Sequence, residues 1–492
     1  MEDEGEKLCL MYKKIHSFYI TISLLLVLVS CQKANVSGVG ETLHSTVSNP
    51  LTTPWIGFGY NQDPLDRTKD GQDTGVWNNA HWNVTMERMN YLKPSLVRIV
   101  LYRYWFNPSG VVGNYDWDSP YMLSVYQVLD YYKAKNIPVM TGLWQSTLDH
   151  NDHVPFYTTQ GDSSFQQLQV DLFQHLYNVK GYQNIRWYTP TNEPKGMGMD
   201  FQTWSVMMIN TYNGFSAANL PLSLFCGADS WDDWTALAAQ LNQHELSGYD
   251  HHYYLNSGID QLISGSLALQ FENEVATIHQ IDPTNKPVFL SEAGFMASSS
   301  IDYWFAQNPI PTINPTTTTY GLLALDYGIQ VACSGESGAL AWSLDGYDYG
   351  KDPGMWNIAG NNGGIQLRPW YYAWSLLCRY FPAGGVIYPI HFASSSVRGV
   401  ALKQTVADKS YWSFAFVNWG TAEVQTIFSI PHVKGGDFTQ FILSASSSGD
   451  GTSLSLPKEN VTIQSFNDGV LIKIPASGGL IMTSMESASG NQ

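Results

Sequence analysis

Ile185-Arg-Trp-Tyr-Thr-Pro-Thr-Asn-Glu193-Pro194 is the stretch on which the fold of this 492-residue chain turns. A short run of β-branched and aromatic residues, Ile185–Thr189, gives way at once to Pro, Thr and Asn and then to a glutamate. Such a run, closed by turn residues, reads as a buried strand ending in a polar loop. A counterpart, Lys286-Pro-Val-Phe-Leu-Ser-Glu292-Ala-Gly-Phe295, places a second glutamate 99 residues further on, again at the end of an apolar strand. A carboxyl at a buried strand end is costly unless it is partnered or functional. The small residues after Glu292 leave room beside it.

Outward from these two stretches, short apolar runs alternate with helical patterns such as Tyr121–Lys133 and Phe165–Val179. Eight strands are expected: Trp55–Gly59, Leu96–Leu101, Pro138–Leu143, Ile185–Thr189, Leu222–Ala228, Tyr249–Tyr254, Pro287–Ser291 and Gly338–Leu344. Repeated β–α units imply a parallel sheet. Eight of them over residues 51–380 fit a (β/α)₈ TIM barrel. A doubly wound sheet is the competing arrangement, but no Gly-rich phosphate turn follows the first strand. After about Arg379 the texture becomes alternating, as in Trp412–Asn418 and Val470–Ile474, with turn clusters such as Lys434-Gly435-Gly436. Residues 381–492 therefore read as a C-terminal antiparallel β-sandwich domain.

In a barrel the C-terminal ends of the strands converge, so Glu193 after strand four and Glu292 after strand seven are brought to one mouth. The other residues expected there are Arg98 at the end of strand two, Trp144 after strand three, Asn192 beside Glu193, His252 and Tyr254 on strand six, and Trp342 on strand eight. Each has an ordinary alternative. Thr-Asn-Glu-Pro is also helix-cap chemistry, Glu292 can serve a structural ion pair, Arg98 a surface salt bridge, His252 and Tyr254 a core strand, and Trp342 plain core packing. The set, in this order, carries the argument.

That set, Asn192-Glu193-Pro194, His252-x-Tyr254, Glu292 and Trp342, resembles clan A of the glycoside hydrolases, and within it families 5, 30 and 39. The motifs span the whole barrel. A sandwich introduced by Tyr371-Tyr-Ala-Trp-Ser-Leu-Leu and Tyr380-Phe-Pro-Ala-Gly is similar to families 30 and 39. The resemblance implies a hydrolase that retains configuration at β-glycosides, with Glu193 as acid/base and Glu292 as nucleophile, and no cofactor or metal. Retention requires two carboxyls about 5–5.5 Å apart, one protonated and one ionised. The negative charge of Glu292 is expected to keep Glu193 protonated. Asn192, Arg98, Trp144, His252, Tyr254 and Trp342 are then substrate contacts or neighbours of the nucleophile. Two clusters with metal-ligand residue types, Asp149-His150-Asn151-Asp152-His153 and Asp345-Gly346-Tyr347-Asp348 with Asp352, read as loops bordering the cleft, because Asp and Asn favour turns and EF-hand spacing is lacking.

Composition narrows the partner. The chain has 25 Lys and Arg against 42 Asp and Glu, a formal charge of −17. Without basic clusters, nucleic acid is excluded as the partner. Charged residues are only 14% and aromatics also 14%, with 17 Trp and 29 Tyr, which suits both a large core and stacking on sugar rings. The expected substrate is a polysaccharide, attacked internally: β-glucan, xylan or mannan. The alternatives are an exo-acting β-glycosidase on oligosaccharides and a glycan-binding surface lipoprotein without catalysis. A monomer is expected.

Near the start, Lys13 and Lys14 precede an apolar run, Phe18–Val29, too short to cross a bilayer, which ends Leu28-Val29-Ser30-Cys31. This resembles a bacterial lipoprotein signal in which Cys31 is lipidated; an ordinary cleaved signal peptide is the alternative. The acidic stretch before Met11 does not fit such a signal, so translation is expected to start at Met11. Residues 1–31 are thus expected to be a signal peptide, 32–50 a linker, and the protein an exported outer-membrane lipoprotein of a Gram-negative bacterium, held to the membrane by its lipid. The remaining cysteines, Cys9, Cys226, Cys333 and Cys378, show neither metal-knuckle nor disulfide spacing.

Overall fold

Eight parallel strands form one sheet, and each is followed by a helix. The computed structural model describes residues 41–67, 73–144, 163–195, 199–220, 223–224, 233–241, 245–255, 259–295, 317–345, 354–356, 365–430, 433–467 and 469–485. In chain order the strands are Gly57–Asn61, Leu96–Leu101, Val139–Leu143, Ile185–Thr189, Ser223–Leu224, Tyr249–Leu255, Val288–Phe295 and Gly338–Ala341, here called strands one to eight. They lie in the order five, four, three, two, one, eight, seven, six. Every neighbouring pair runs parallel.

The sheet rolls round on itself. Leu96, Met140, Phe289 and Leu340, from strands two, three, seven and eight, meet in one buried cluster with Trp187 of strand four packed against it. Strands three and seven are four steps apart in the sheet order, about 19 Å if the sheet were flat. Only a curled sheet lets their side chains touch, and this cluster is its filled interior. The joint between strands one and eight needs glycine. A Cβ on Gly338, whose φ is +151°, would lie 2.0 Å from the Gly57 carbonyl oxygen. Between strands five and six no ladder occurs among the described residues.

Helices coat the outside, starting from ordinary caps. Ser119 caps Pro120–Ala134 through the Met122 N–H, Asp200 caps Phe201–Ala217, and Thr317 caps Thr318–Ser334. The buried apolar residues of these helices and of the strands' outer faces make a single large cluster. No helix of the described residues is long and apolar enough to cross a membrane.

A second, nine-stranded antiparallel sheet comprises Glu41–Val47, Val386–Phe392, Val397–Val406, Lys409–Asn418, Val424–Phe428, Lys434–Leu443, Lys458–Ser465, Val470–Ile474 and Gly478–Thr483. Alternation along Lys409–Asn418 serves two cores. Trp412, Phe414 and Phe416 face a phenylalanine-rich core that includes Phe428, Phe438, Phe466 and Ile472. Ala415 and Val417 face the other way, into the large cluster of the parallel sheet and its helices. Asp326, fully buried on helix Thr318–Ser334, fastens this packing. It accepts from Arg398 Nε at 2.7 Å, from Trp419 Nε1 at 2.6 Å and from Gln330 Nε2 at 3.0 Å, and Arg398 Nη2 completes a bidentate pair.

Several expectations change. Within the expected linker, Glu41–Val47 is a strand, paired through Ser45, Thr46 and Val47 to Phe392, His391 and Ile390. Strand seven continues past Ser291 to Phe295, so Glu292 lies within it rather than beyond it. Of the expected Leu222–Ala228, Ser223–Leu224 is described as strand. The helix expected to Val179 ends at Gln174 and continues as a π turn, His175–Val179. The segment before residue 41, with Cys31, and the stretches Asp149–His153, Gly346–Asp348 and Asp352 lie outside the described residues.

Candidate active site

Strand six supplies alternate residues to the interior. Tyr249 joins the outer cluster, and His251 and Tyr253 pack on Phe271 of the covering helix. Asp250, His252 and Tyr254 therefore face inward. On strand seven, Val288 and Leu290 point outward and Phe289 inward. Simple alternation would turn Glu292 outward. It does not, because the register with strand six slips: Leu290 pairs with His251 and Glu292 with His252, leaving Ser291 as an extra residue. This bulge re-aims Glu292 into the mouth.

Around Glu292 the donors are close. Arg98 Nη1 donates to its Oε1 at 2.5 Å, and the Tyr254 hydroxyl donates to its Oε2 at 2.5 Å. Both Arg98 and Glu292 are almost fully buried, at 0% and 3% side-chain exposure, so the pair is little screened. Arg98 is itself held by Asn61 Oδ1 at 3.0 Å and Asn192 Oδ1 at 2.5 Å. Asn61, which ends strand one, also donates to the Ser291 carbonyl at 2.9 Å.

Glu193 sits opposite, directly after strand four. Its backbone is in the left-handed region at φ +41°, unusual for a side chain other than glycine, and strain of this kind is kept where a site needs a side chain aimed. His252 Nδ1 lies 2.8 Å from Glu193 Oε1 and 3.4 Å from Glu292 Oε2. One oxygen of each glutamate lies within 4.8 Å of the other. Strands four and six are six steps apart in the sheet order, about 29 Å in a flat sheet. The contact between Glu193 and His252 thus also records the curl.

Burial pushes the Glu193 carboxyl above its ordinary value, against the lowering pull of Arg98. The charge of Glu292 was expected to do this; desolvation is the cause instead. Burial also drives His252 down to about 3, helped by Arg98 and His251 and opposed by Glu292. His252 is therefore neutral near pH 7, and its Nδ1 shares a hydrogen bond with Glu193 Oε1. Burial, with Glu292 alongside, holds the Tyr254 phenol well above its usual value.

Glu193, His252 and Glu292 are residue types that bind cations. Here both oxygens of Glu292 already accept from Arg98 and Tyr254, and a cation would have to sit beside the buried guanidinium. The set suits proton transfer and nucleophilic attack better than metal binding. Behind strand six, His251 turns Nε2 to Glu336 at 3.1 Å and Nδ1 toward Glu274 at 3.7 Å, an imidazole bridging two carboxylates rather than chelating with them.

Three of the aromatic residues after strands two, three and eight touch one another. Trp342 and Trp144 have ring centroids 5.8 Å apart, and Tyr102 stacks on Trp144 at 6.1 Å and 25°. The structure thus brings Arg98, Asn192, Glu193, His252, Tyr254 and Glu292 into one group joined by hydrogen bonds and ion pairs, with Trp144 and Trp342 in contact with each other. Asn61, Asp250, Ser291 and Tyr102 were not anticipated. Asn61 had one readable sign, a polar residue closing the buried run Gly57–Tyr60.

Neither a protein-family model nor a curated protein matches the chain. Its fold is similar to that of solved structures. A GH51 arabinofuranosidase from Xanthomonas axonopodis pv. citri superimposes with a TM-score of 0.64 over 90% of this chain and 99% of that one, at 12% identity. The catalytic domain of GH30 xylanase C from Talaromyces cellulolyticus gives 0.62 over 89% and 99%, at 16%. A glycoside hydrolase family 30 subfamily 8 xylanase from Clostridium acetobutylicum gives 0.58 over 89% and 99%, at 10%. At such identities the likeness establishes the fold.

Proposed function

We propose that this protein is a glycoside hydrolase that cleaves polysaccharide chains internally with retention of configuration, on a closed (β/α)₈ barrel braced by a C-terminal β domain. The observation that carries the reading is the Glu193–His252–Glu292 group: two carboxyls with oxygens within 4.8 Å, one raised by burial, the other held by a buried Arg98 and a tyrosine hydroxyl. This separation suits the retaining arrangement better than the wider inverting one, which must admit a water between the carboxyls. The likeness in fold to xylanases and arabinofuranosidases supports the same class, and xylan is the first substrate to try.

In the first step a Glu292 oxygen bonds to the anomeric carbon while the bond to the leaving oxygen breaks, and Glu193 delivers its proton to that oxygen. Water then attacks the same carbon, gives a proton to Glu193 and displaces Glu292. Neutral His252 keeps its hydrogen bond to Glu193 without taking its proton, because its own affinity for protons is so low. The Asn192 amide nitrogen, buried and without a partner among the described residues, is placed to donate to a sugar hydroxyl. Trp144 and Trp342 offer the stacking surface.

The test is a panel of xylan, β-glucan, mannan and arabinan with product chromatography. Oligosaccharide series support internal cleavage. Release of single sugars alone favours exo action, the second reading. Binding without products would make it a glycan-binding protein. Export and attachment through Cys31 belong to the same proposal: Cys31→Ala should move the protein from the membrane fraction to the soluble one, and a parent already soluble in its host would refute lipidation.

A further inference from the structure

The interior of the barrel holds a carboxyl that the reaction above does not use. Asp250 is 1% exposed, two residues before His252 on the inward face of strand six. Its Oδ2 accepts the Ser291 hydroxyl at 2.7 Å, and Ser291 is the extra residue of the strand-seven bulge. The Ser291 carbonyl meanwhile accepts from Asn61. The bulge residue is thus pinned on both sides, by its hydroxyl to strand six and by its carbonyl to strand one.

We infer that Asp250 is a positioning residue for Glu292: through Ser291 it fixes the bulge that turns the carboxylate into the mouth, an inference that rests on the glycosidase reading. A bulge is an irregular stretch whose backbone has lost ladder partners, so its geometry needs outside contacts. If Ser291 rotated back into regular pairing, the phase of the strand would reverse and Glu292 would turn toward the helices, since a one-residue slip exchanges faces. The Oδ1 of Asp250 is buried without a partner among the described residues, a desolvation cost that burying an alanine would avoid. Burial accordingly raises Asp250 to about 7, with the Ser291 hydrogen bond and Arg98 acting against it. A group kept at such a cost beneath the nucleophile fits a brace.

The experiment compares Asp250→Asn, Asp250→Ala and Ser291→Ala in the full-length protein. Asparagine keeps an acceptor for Ser291, so kcat should stay within about threefold of the parent. The two alanine variants should lose about 10²-fold in kcat with KM little changed, because a misplaced nucleophile is felt in the transition state. Hydrogen exchange gives a readout that needs no substrate: amides 291–293 should lose protection in both alanine variants and keep it in Asp250→Asn. If Asp250→Ala is insoluble, Ser291→Ala carries the test alone. Unchanged kcat and protection in Ser291→Ala, or an equal loss in Asp250→Asn, would overturn the brace. A parent inactive on every glycoside would instead sink the glycosidase reading, with the exchange data still deciding the brace.

Discussion

The two glutamates at one mouth have different surroundings. Glu292 has a guanidinium and a phenol on its oxygens, whereas Glu193 has burial and a neutral imidazole. Replacing Glu292 by Gln should cut kcat by about 10³-fold or more with the fold intact, since the amide cannot form the ester; activity within tenfold of the parent, measured on the best substrate of the panel, would remove it from that role. The raised Glu193 sets a pH expectation. Proton donation is available below its value and lost as pH rises through it, so kcat/KM should fall on the alkaline side, and that limb should vanish in Glu193→Ala. Asp250 and His252 write opposite signs into stability. Asp250, raised to about 7, favours the folded state at low pH and loses that contribution as pH climbs through 7. His252, lowered to about 3, stabilises above its ordinary value and loses that as pH falls toward 3. Between pH 5 and 8 the parent should lose about 2–3 kcal/mol more than Asp250→Asn, read from denaturant midpoints; parallel pH curves would place Asp250 outside the titrating groups.

Strand seven shows what sequence can and cannot disclose about an element. Its existence and its glutamate were legible, because Val-Phe-Leu is a buried run bounded by proline and polar residues. Its bulge was not. A strand buried on both faces carries no alternation, so nothing in Ser291-Glu292-Ala293 marks the residue that slips. Strand two gave Arg98 as the polar exception in an apolar run, and strand four gave Glu193 through the polar loop that closes it. Asn61 and Asp250 escaped because their meaning lies in side-chain contacts to neighbouring strands, to Arg98 and Ser291, that no local pattern encodes. The strand Glu41–Val47 was hidden by composition: Thr, Ser and His between Leu43 and Val47 read as a tether until the antiparallel sheet supplies a neighbour. The aromatic cluster is also an element-scale property. Trp144→Ala should raise KM for polymer more than for aryl glycosides, since stacking acts on sugars remote from the broken bond; an equal effect on both would move Trp144 away from that surface.

For the whole molecule, the alternating strands after Arg379 have two faces to satisfy, and one of them is satisfied by the helices of the parallel sheet. Both tryptophans of that region are engaged, Trp412 in the phenylalanine core and Trp419 on Asp326. Truncation near Phe381 should therefore give insoluble protein, and Asp326→Ala, which strands Arg398 half-buried without its partner, should cost about 3 kcal/mol in a denaturant titration. A soluble, active truncated barrel that merely loses binding to polymer would instead make the β domain a capture module. The division of roles between the two glutamates is tested most directly with Glu193→Ala, an aryl β-glycoside and azide. Departure of an activated aryl group needs little protonation, so the glycosyl-enzyme on Glu292 should still form, and azide should intercept it from the open face without help from a base. The expected product, identified by the anomeric coupling in its proton spectrum, is the β-glycosyl azide; an α-azide, or no rescue with the aryl glycoside still cleaved at the parent rate, would contradict the assignment of Glu193 as acid/base and Glu292 as nucleophile.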